Sequence, residues 1–178
     1  MKILLTFVPC LYAFKYSENE ADELERVFDE WADPIFLDDF FDKNKKDITI
    51  SIEEAISKVQ SEAIYLRKKL LKLAYANPNQ LYELFKNLNN YETNSKELSK
   101  QKAPNRWLRL YAIKIAENNY VITGGTIKLD SGAIKFNQQY KMQDRPHTNN
   151  ELIKINKCRD YLKDQGVYDD DSFQEIFF

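Results

Sequence analysis

The segment "WLRLYAIKIAENNYVITGGTIKL" (residues 107–129) decides the predicted fold. Apolar and polar side chains alternate on both sides of the turn-forming residues Glu117–Asn119, and this pattern predicts antiparallel strands over 107–115 and 120–129. A second turn at 130–132 and a third strand within 133–141 follow. The segment therefore predicts the middle of a small antiparallel sheet.

The two faces of this predicted sheet differ in chemistry. Successive side chains of a strand point to opposite faces. Leu108 and Leu110 predict an apolar face, whereas Arg109 and Tyr111 predict a mixed face of basic, amide and aromatic groups. Gly124-Gly125 interrupts the second strand. We interpret the glycine pair as a β-bulge rather than a phosphate-binding loop, because no helix begins directly after it.

Capping boxes at Ser17, Ser51 and Thr148 predict helix starts. Apolar residues follow each box at spacings of three and four, as on the buried side of a helix. Asp33-Pro34 ends the first helix, and Gly166 is a plausible C-cap of the last one. Other short elements are predicted at residues 34–46 (helix), 47–51 (extended) and 80–88 (helix).

The N-terminal segment "MKILLTFVPCLYAFKY" (residues 1–16) begins like a secretory signal, with a lysine and an apolar run. However, no small-x-small cleavage site follows, and the run is too short to span a bilayer. Residues 11–16 alternate in the manner of a strand. We therefore predict an N-terminal β-strand and no association with a membrane.

These elements predict an α+β fold within a single domain of residues 1–178. An antiparallel sheet is expected from the N-terminal strand and residues about 107–141, packed with several helices that include a C-terminal helix at about 149–164. Residues about 46–100 are predicted to be a helical insertion that ends in a polar connection.

Charge is distributed unevenly along the chain. Residues 100–163 carry 13 Lys and Arg against 5 Asp and Glu, although the whole chain has a net charge of −2. This basic segment favours an anionic partner, although a solvated basic surface is the simpler explanation. The 2 cysteines are too few for a disulfide framework, and the 1 histidine excludes a histidine-rich metal site. We expect a reducing, cytoplasmic setting and no metal or other cofactor.

Basic and aromatic side chains in the same segment favour RNA as the partner, because Lys and Arg neutralise phosphate and aromatic rings stack on bases. Ribonucleases that need no metal use a base to remove the 2′-hydroxyl proton and cations to stabilise the charge at phosphorus. Arg145-Pro146-His147 places a cation beside a titratable imidazole. The structural alternative for this segment is that Arg145 pairs with an acidic residue and His147 packs on the start of the last helix.

The order of elements, together with "RLYAIKIAENNYVITGGTIKL" and "RPHTNNELIKINKCRDYL", resembles the RelE/HigB toxins of type II toxin–antitoxin systems over residues 105–163. The resemblance implies a metal-independent endoribonuclease that acts on mRNA, free or ribosome-bound, and is neutralised by a protein antitoxin. The chain departs from that family in its acidic pI of about 5.6 and its helical insertion. A non-enzymatic interaction module from a mobile element or defence locus, binding another protein through acidic helices, is the alternative.

The resemblance nominates basic and aromatic residues on the sheet and near its last strand. The predicted catalytic residues are Arg109, Lys128, Arg145 and His147. The predicted RNA-binding residues are Trp107, Tyr111, Lys114, Lys135, Tyr140 and Lys141.

Overall fold

The predicted pair of strands lies in the middle of a six-stranded sheet in the computed structural model of the protein, which describes residues 1–18, 20–88, 98–129 and 141–178. The fold is α+β, as expected. The strands are Lys2–Leu5 (β1), Leu11–Lys15 (β2), Lys86–Asn87 (β3), Ser99–Asn105 (β4), Leu108–Ala116 (β5) and Asn119–Ile127 (β6). The α-helices are Glu23–Ala32 (α1), Pro34–Lys43 (α2), Ile52–Ala74 (α3), Pro146–Asp164 (α4) and Asp170–Phe177 (α5).

The sheet is mixed, so the prediction of a strictly antiparallel sheet is wrong. Its strand order is β1-β2-β6-β5-β4-β3, and β2 runs parallel to β6 with Tyr12 opposite Val121. Parallel neighbours need a long crossover connection. The chain between β2 and β6 supplies one, since it includes α1, α2, α3 and three strands.

Three strands lie where other structures were expected: β1, β4 and the short β3, which falls within the segment predicted as a helix at 80–88. The N-terminal segment forms a β1–β2 hairpin rather than one strand, and the hydroxyl of Thr6 donates a hydrogen bond of 2.7 Å to the Leu11 carbonyl at its turn. The polar connection continues into β4, which pairs with β5 along its whole length. Residues 48–51 form no strand, and residues 81–83 form a 3₁₀ turn. The predicted third strand at 133–141 lies outside the described residues except for Lys141.

Capping chemistry explains where the helices begin. The Ser51–Glu54 capping box of α3 is present as predicted. By contrast, α1 is capped by Asp22 rather than Ser17. Helix α4 begins at Pro146, three residues before the predicted start, because proline suits the first turn. The hydroxyl of Thr148 donates to the carbonyl of Met142 at 2.6 Å instead of capping the helix.

Both faces of the sheet are covered. Helices α1, α2 and α3 pack on the face that carries Leu108 and Leu110, where they form the larger core. The face that carries Tyr111 and Ile113 packs against α4 and α5 in a second core. The expectation of an open mixed face is therefore wrong over the middle of β5, where Tyr111 is 1% exposed.

Helix α5 anchors the end of the chain. Phe173 is fully buried, and its ring lies 5.0 Å from that of Tyr12 in an edge-to-face arrangement. Asp169 caps the helix, and Gly166 ends α4 with φ of 87°, as its predicted role requires. Among the helices within the described ranges, none combines the length and apolar character that a bilayer-spanning helix needs.

Candidate active-site cleft

A bulge in β6 allows two helices to approach the sheet closely. The pairing of β5 with β6 shifts register after Tyr111–Gly124, which confirms the predicted bulge. A Cβ atom at Gly124 would lie 2.1 Å from Oε2 of Glu151, and one at Gly125 would lie 2.8 Å from Cγ1 of Val27. The missing side chains therefore let α4 and α1 pack against the same short stretch of backbone.

A network of charged side chains joins α1 to α4 over this bulge. Glu23, which is 3% exposed, accepts from Nε and Nη2 of Arg26 at 2.8 and 2.9 Å and from Nζ of Lys154 at 2.9 Å. Lys154 also lies 2.8 Å from Oε1 of Glu151, and Arg26 pairs with Glu30. Removing one partner of such a pair leaves the other charge buried without compensation, at a large desolvation cost. The network therefore holds the two helices in register.

Burial changes the protonation of Glu151, a member of this network. It is 8% exposed, and burial raises its pKa to about 7 against the opposing effect of Lys154. Its Oε2 is buried and has no hydrogen-bond partner among the described residues. At neutral pH the carboxyl is therefore suited both to donate and to accept a proton.

His147 lies one helical turn before Glu151. Burial, with a smaller effect of Arg145, lowers its pKa, while a hydrogen bond to the Ile127 backbone acts in the opposite direction. Nε2 is buried and has no hydrogen-bond partner among the described residues. The ring is held edge-to-face against Phe40 at 5.2 Å.

These groups line a cleft of about 190 Å³. One wall comes from α1 and α2, the floor comes from the C-terminal end of β6, and the other wall comes from the start of α4. The lining residues are Arg26, Glu30, Trp31, Phe36, Phe40, Gly125, Thr126, Ile127, His147, Asn150 and Glu151. Aromatic, acidic, basic and amide groups therefore converge on one small space.

Tyr16 and Cys158 lie behind the network. The hydroxyl of Tyr16 donates to the Thr123 carbonyl at 2.8 Å and lies 3.0 Å from Sγ of Cys158. Burial raises the pKa of both groups, that of Cys158 to about 12. The thiol is neutral at physiological pH, which argues against Cys158 as a nucleophile.

Two of the predicted catalytic cations extend the cleft along the sheet. Arg109 faces Thr126, a lining residue, across the β5–β6 pair, and its guanidinium donates to the Leu108 carbonyl at 2.8 Å. Lys128 follows Ile127, and its backbone N–H donates to the Trp107 carbonyl at 2.7 Å. Burial and the positive charges of Lys128 and Arg109 lower the pKa of Lys102 on β4. These three residues, Lys102, Arg109 and Lys128, form a basic strip beside the cleft.

Arg145 is held away from this strip. Its guanidinium makes a two-pronged ion pair with Asp47, with Nη2 and Oδ1 2.9 Å apart, and the Arg145 side chain is 14% exposed. The ion pair ties the start of α4 to the chain between α2 and α3. Arg145 therefore forms an ion pair, as the structural alternative for the Arg145–His147 segment expected. His147, by contrast, lines the cleft.

The predicted RNA-binding residues are dispersed. Trp107 is half-buried beneath Nζ of Lys58, 3.5 Å from its ring, and Tyr111 is buried. Lys114 is half-exposed and pairs with Tyr120 at the far end of β5, while Lys141 is exposed before α4. Lys135 and Tyr140 lie outside the described residues.

Sequence reasoning missed the acidic part of the cleft. It interpreted Glu151 as a capping residue of α4, and it did not single out Glu23, Arg26 or Glu30. Their spacing of three and four residues places the α1 residues on one side of the helix, but gives no sign that α4 covers that side. The described residues contain no group of acidic, cysteine and histidine side chains arranged to hold a metal ion.

Comparison of the chain with protein-family models, curated proteins and solved structures finds no significant match.

Proposed function

We propose that the protein is a metal-independent endoribonuclease of the RelE/HigB kind that acts on mRNA. The observation that carries the proposal is the cleft at the β6 bulge, where His147 and Glu151 lie one helical turn apart beside the basic strip. An imidazole and a carboxyl with shifted pKa values in one cleft are the groups that general acid–base chemistry requires. The positive charge of the basic strip beside them stabilises the negative charge of the phosphate.

The chemistry divides between two sets of residues. Nε2 of His147 takes the proton of the ribose 2′-hydroxyl, whose oxygen then attacks the adjacent phosphorus. Glu151, whose pKa burial raises to about 7, gives a proton in its protonated form to the leaving 5′-oxygen. Arg109 and Lys128 stabilise the negative charge that develops on the phosphoryl oxygens.

Substrate access is part of this mechanism. Nε2 of His147 and Oε2 of Glu151 are both covered by other atoms, so RNA must widen the cleft to reach them. The outer wall, with Arg26 and Glu30, is partly exposed and meets RNA first. Arg145 acts as a positioning residue, because its pair with Asp47 fixes the helix start that carries His147.

The expected setting is the cytoplasm, with mRNA, free or ribosome-bound, as substrate and a protein antitoxin as inhibitor. Cys10 and Cys158 are both free thiols, which is compatible with a reducing compartment. RNA affinity should fall steeply with salt, because contacts to phosphate release counterions.

A cleavage assay tests the proposal. Purified protein is incubated with a mixed-sequence RNA in the presence of excess EDTA, and Arg109→Ala is compared with Lys69→Ala, which removes an exposed cation from α3. We expect cleavage to survive EDTA and the Arg109→Ala variant to be slower by about 100-fold, the scale for loss of a charge-stabilising group. Lys69→Ala should cleave at the parent rate. Absence of cleavage both by the free protein and on translating ribosomes would overturn the proposal.

A second candidate function is binding of a protein partner without catalysis. The outer side of α2 favours it, since Ile35 is 80% exposed and lies near the exposed carboxylates of Asp38, Asp39 and Asp42. Growth arrest that survives Arg109→Ala but disappears with Ile35→Ser would favour this function over the ribonuclease.

A further inference from the structure

The cleft has the size and the lining of a site for one polar ring. Its volume of about 190 Å³ lies below the range of about 300 to 1,000 Å³ typical of sites for drug-sized ligands. Phe36 and Phe40 line it and are both half-buried, which leaves part of each ring open. Aromatic surfaces of this kind bind nucleobases by stacking.

Glu30 supplies the polar edge. Its side chain is 32% exposed, and one carboxylate oxygen pairs with Arg26. The other oxygen makes no hydrogen bond to the described residues, so the carboxylate retains acceptor capacity on the side of the cleft. Arg26 does not depend on this pair for its position, because Glu23 holds its Nε and Nη2 atoms.

We infer that this outer cleft, formed by Glu30, Arg26, Phe36, Phe40 and Asn150, binds a guanine base of the RNA. Guanine presents adjacent N1–H and N2–H donors, which match the two oxygens of a carboxylate. Its O6 acceptor matches the donors of Arg26 or the exposed Asn150 amide. Adenine presents an unprotonated N1 at the same edge, and a carboxylate repels it.

Charge favours a neutral ring over an ionic ligand. Glu30 and Arg26 neutralise each other, and burial raises the pKa of Glu151 to about 7. An anionic phosphate inside the cleft would face two carboxyl groups, whereas the basic strip offers it Arg109 and Lys128. The base therefore enters the outer cleft, while its phosphate lies between the basic strip and the start of α4, where Arg109 and Lys128 offset the charge of Glu151.

This inference rests on the proposed ribonuclease function for its RNA substrate, but its central test needs no cleavage. The full chain is titrated with GMP and with AMP, and binding is followed by tryptophan fluorescence, since Trp31 lines the cleft. We expect GMP to bind about 10- to 100-fold more tightly than AMP, the scale of a hydrogen bond to a charged group. Equal affinities, or no saturation by either nucleotide at millimolar concentration, would overturn the inference.

Two charge-matched variants of α1 locate the site. Glu30→Gln keeps the size of the side chain but cannot accept both guanine donors, so it should lose the preference for GMP. Glu25→Gln, at an exposed position on the same helix, removes an equal charge and should bind both nucleotides as the parent does. An unchanged preference in Glu30→Gln would assign the discrimination to other residues and refute the role of Glu30.

RNA cleavage separates the two proposals. If cleavage sites of the parent cluster beside guanine and this bias disappears in Glu30→Gln, the ribonuclease and the guanine site are both supported. Cleavage without base preference refutes the guanine site and leaves the ribonuclease intact. Preferential GMP binding without any RNA cleavage leaves the guanine site intact and refutes the ribonuclease.

Discussion

Two buried glutamates, Glu62 on α3 and Glu151 on α4, look alike until their surroundings are compared. Their exposures are 5% and 8%, burial raises the pKa of both, and each has one oxygen without a hydrogen-bond partner among the described residues. Glu62 accepts the Trp107 N–H at 3.1 Å. Glu151 instead pairs with Lys154 and lines the cleft with His147.

The difference shows that burial and a raised pKa do not by themselves mark a functional carboxyl. Glu62 holds the turn between β4 and β5 against α3, and the Asn105 amide donates to its backbone carbonyl at 3.0 Å. It therefore serves the fold. Both carboxyls have positive charges near them, but only Glu151 lines the cleft beside a second titratable group, His147, as acid–base chemistry requires.

The largest expected effect separates the two carboxyls in catalysis. Glu151→Gln should slow RNA cleavage by about 100-fold or more, because the amide cannot donate the proton that the leaving oxygen needs. Glu62→Gln should cleave within about threefold of the parent, because the amide oxygen still accepts the Trp107 N–H. Single-turnover rates on one RNA measure both.

Circular dichroism and thermal unfolding of both variants serve as controls for folding. Equal loss of activity in the two variants, with both folded, would remove the distinction between them.

The next effect is on stability as a function of pH. The pKa of Glu151 rises from an ordinary 4.5 to about 7 in the folded protein, so the folded state binds the proton more tightly than the unfolded state. The stability that this provides is complete below pH 4.5 and is lost as pH rises through 7. Between pH 5 and 8, the free energy of unfolding of the parent should fall by about 2 kcal/mol relative to Glu151→Gln.

Urea unfolding at several pH values measures this difference. The lowered pKa of His147 acts in the opposite sense, but it is shared by both proteins and largely cancels. A parallel pair of pH profiles would show that Glu151 keeps an ordinary pKa in the folded protein.

The smallest effect tests the structural role of Glu62. Glu62→Ala leaves the Trp107 N–H without its acceptor and should lower the free energy of unfolding by about 1 to 2 kcal/mol. Cleavage, measured well below the unfolding temperature, should stay close to that of the parent. A loss of activity greater than the loss of folded protein would place Glu62 in the catalytic machinery after all.

Local patterns predicted those parts of the fold that local interactions determine. The β5–β6 pair follows from alternation and turn residues, and α3 follows from its capping box and apolar stripe. The parallel pairing of β2 with β6 depends on strands that lie about a hundred residues apart, which no local pattern encodes. Strand β4 was missed because Ser99–Asn105 is polar for a strand, although Ala103 and Gln101 are buried.

Only some of the residues in or beside the cleft were singled out from the sequence, for a similar reason. His147 and the cations Arg109 and Lys128 stand out by residue type, and they lie at the same end of the sheet. Glu23, Arg26 and Glu151 are common residues in amphipathic helices, so only the packing of α1 against α4 reveals them. Arg145 was chosen by residue type, but its partner Asp47 lies 98 positions away in the chain.

The glycine bulge of β6 has a consequence for tracing relatives by sequence. Because a Cβ atom at Gly124 would collide with Glu151, the two positions are expected to change together during evolution rather than independently. Gly124-Gly125 followed by His147, Glu151 and Lys154 at the same intervals forms a compact signature. Distant proteins that carry this spacing would be expected to share the cleft, even where the remaining sequence has diverged beyond recognition.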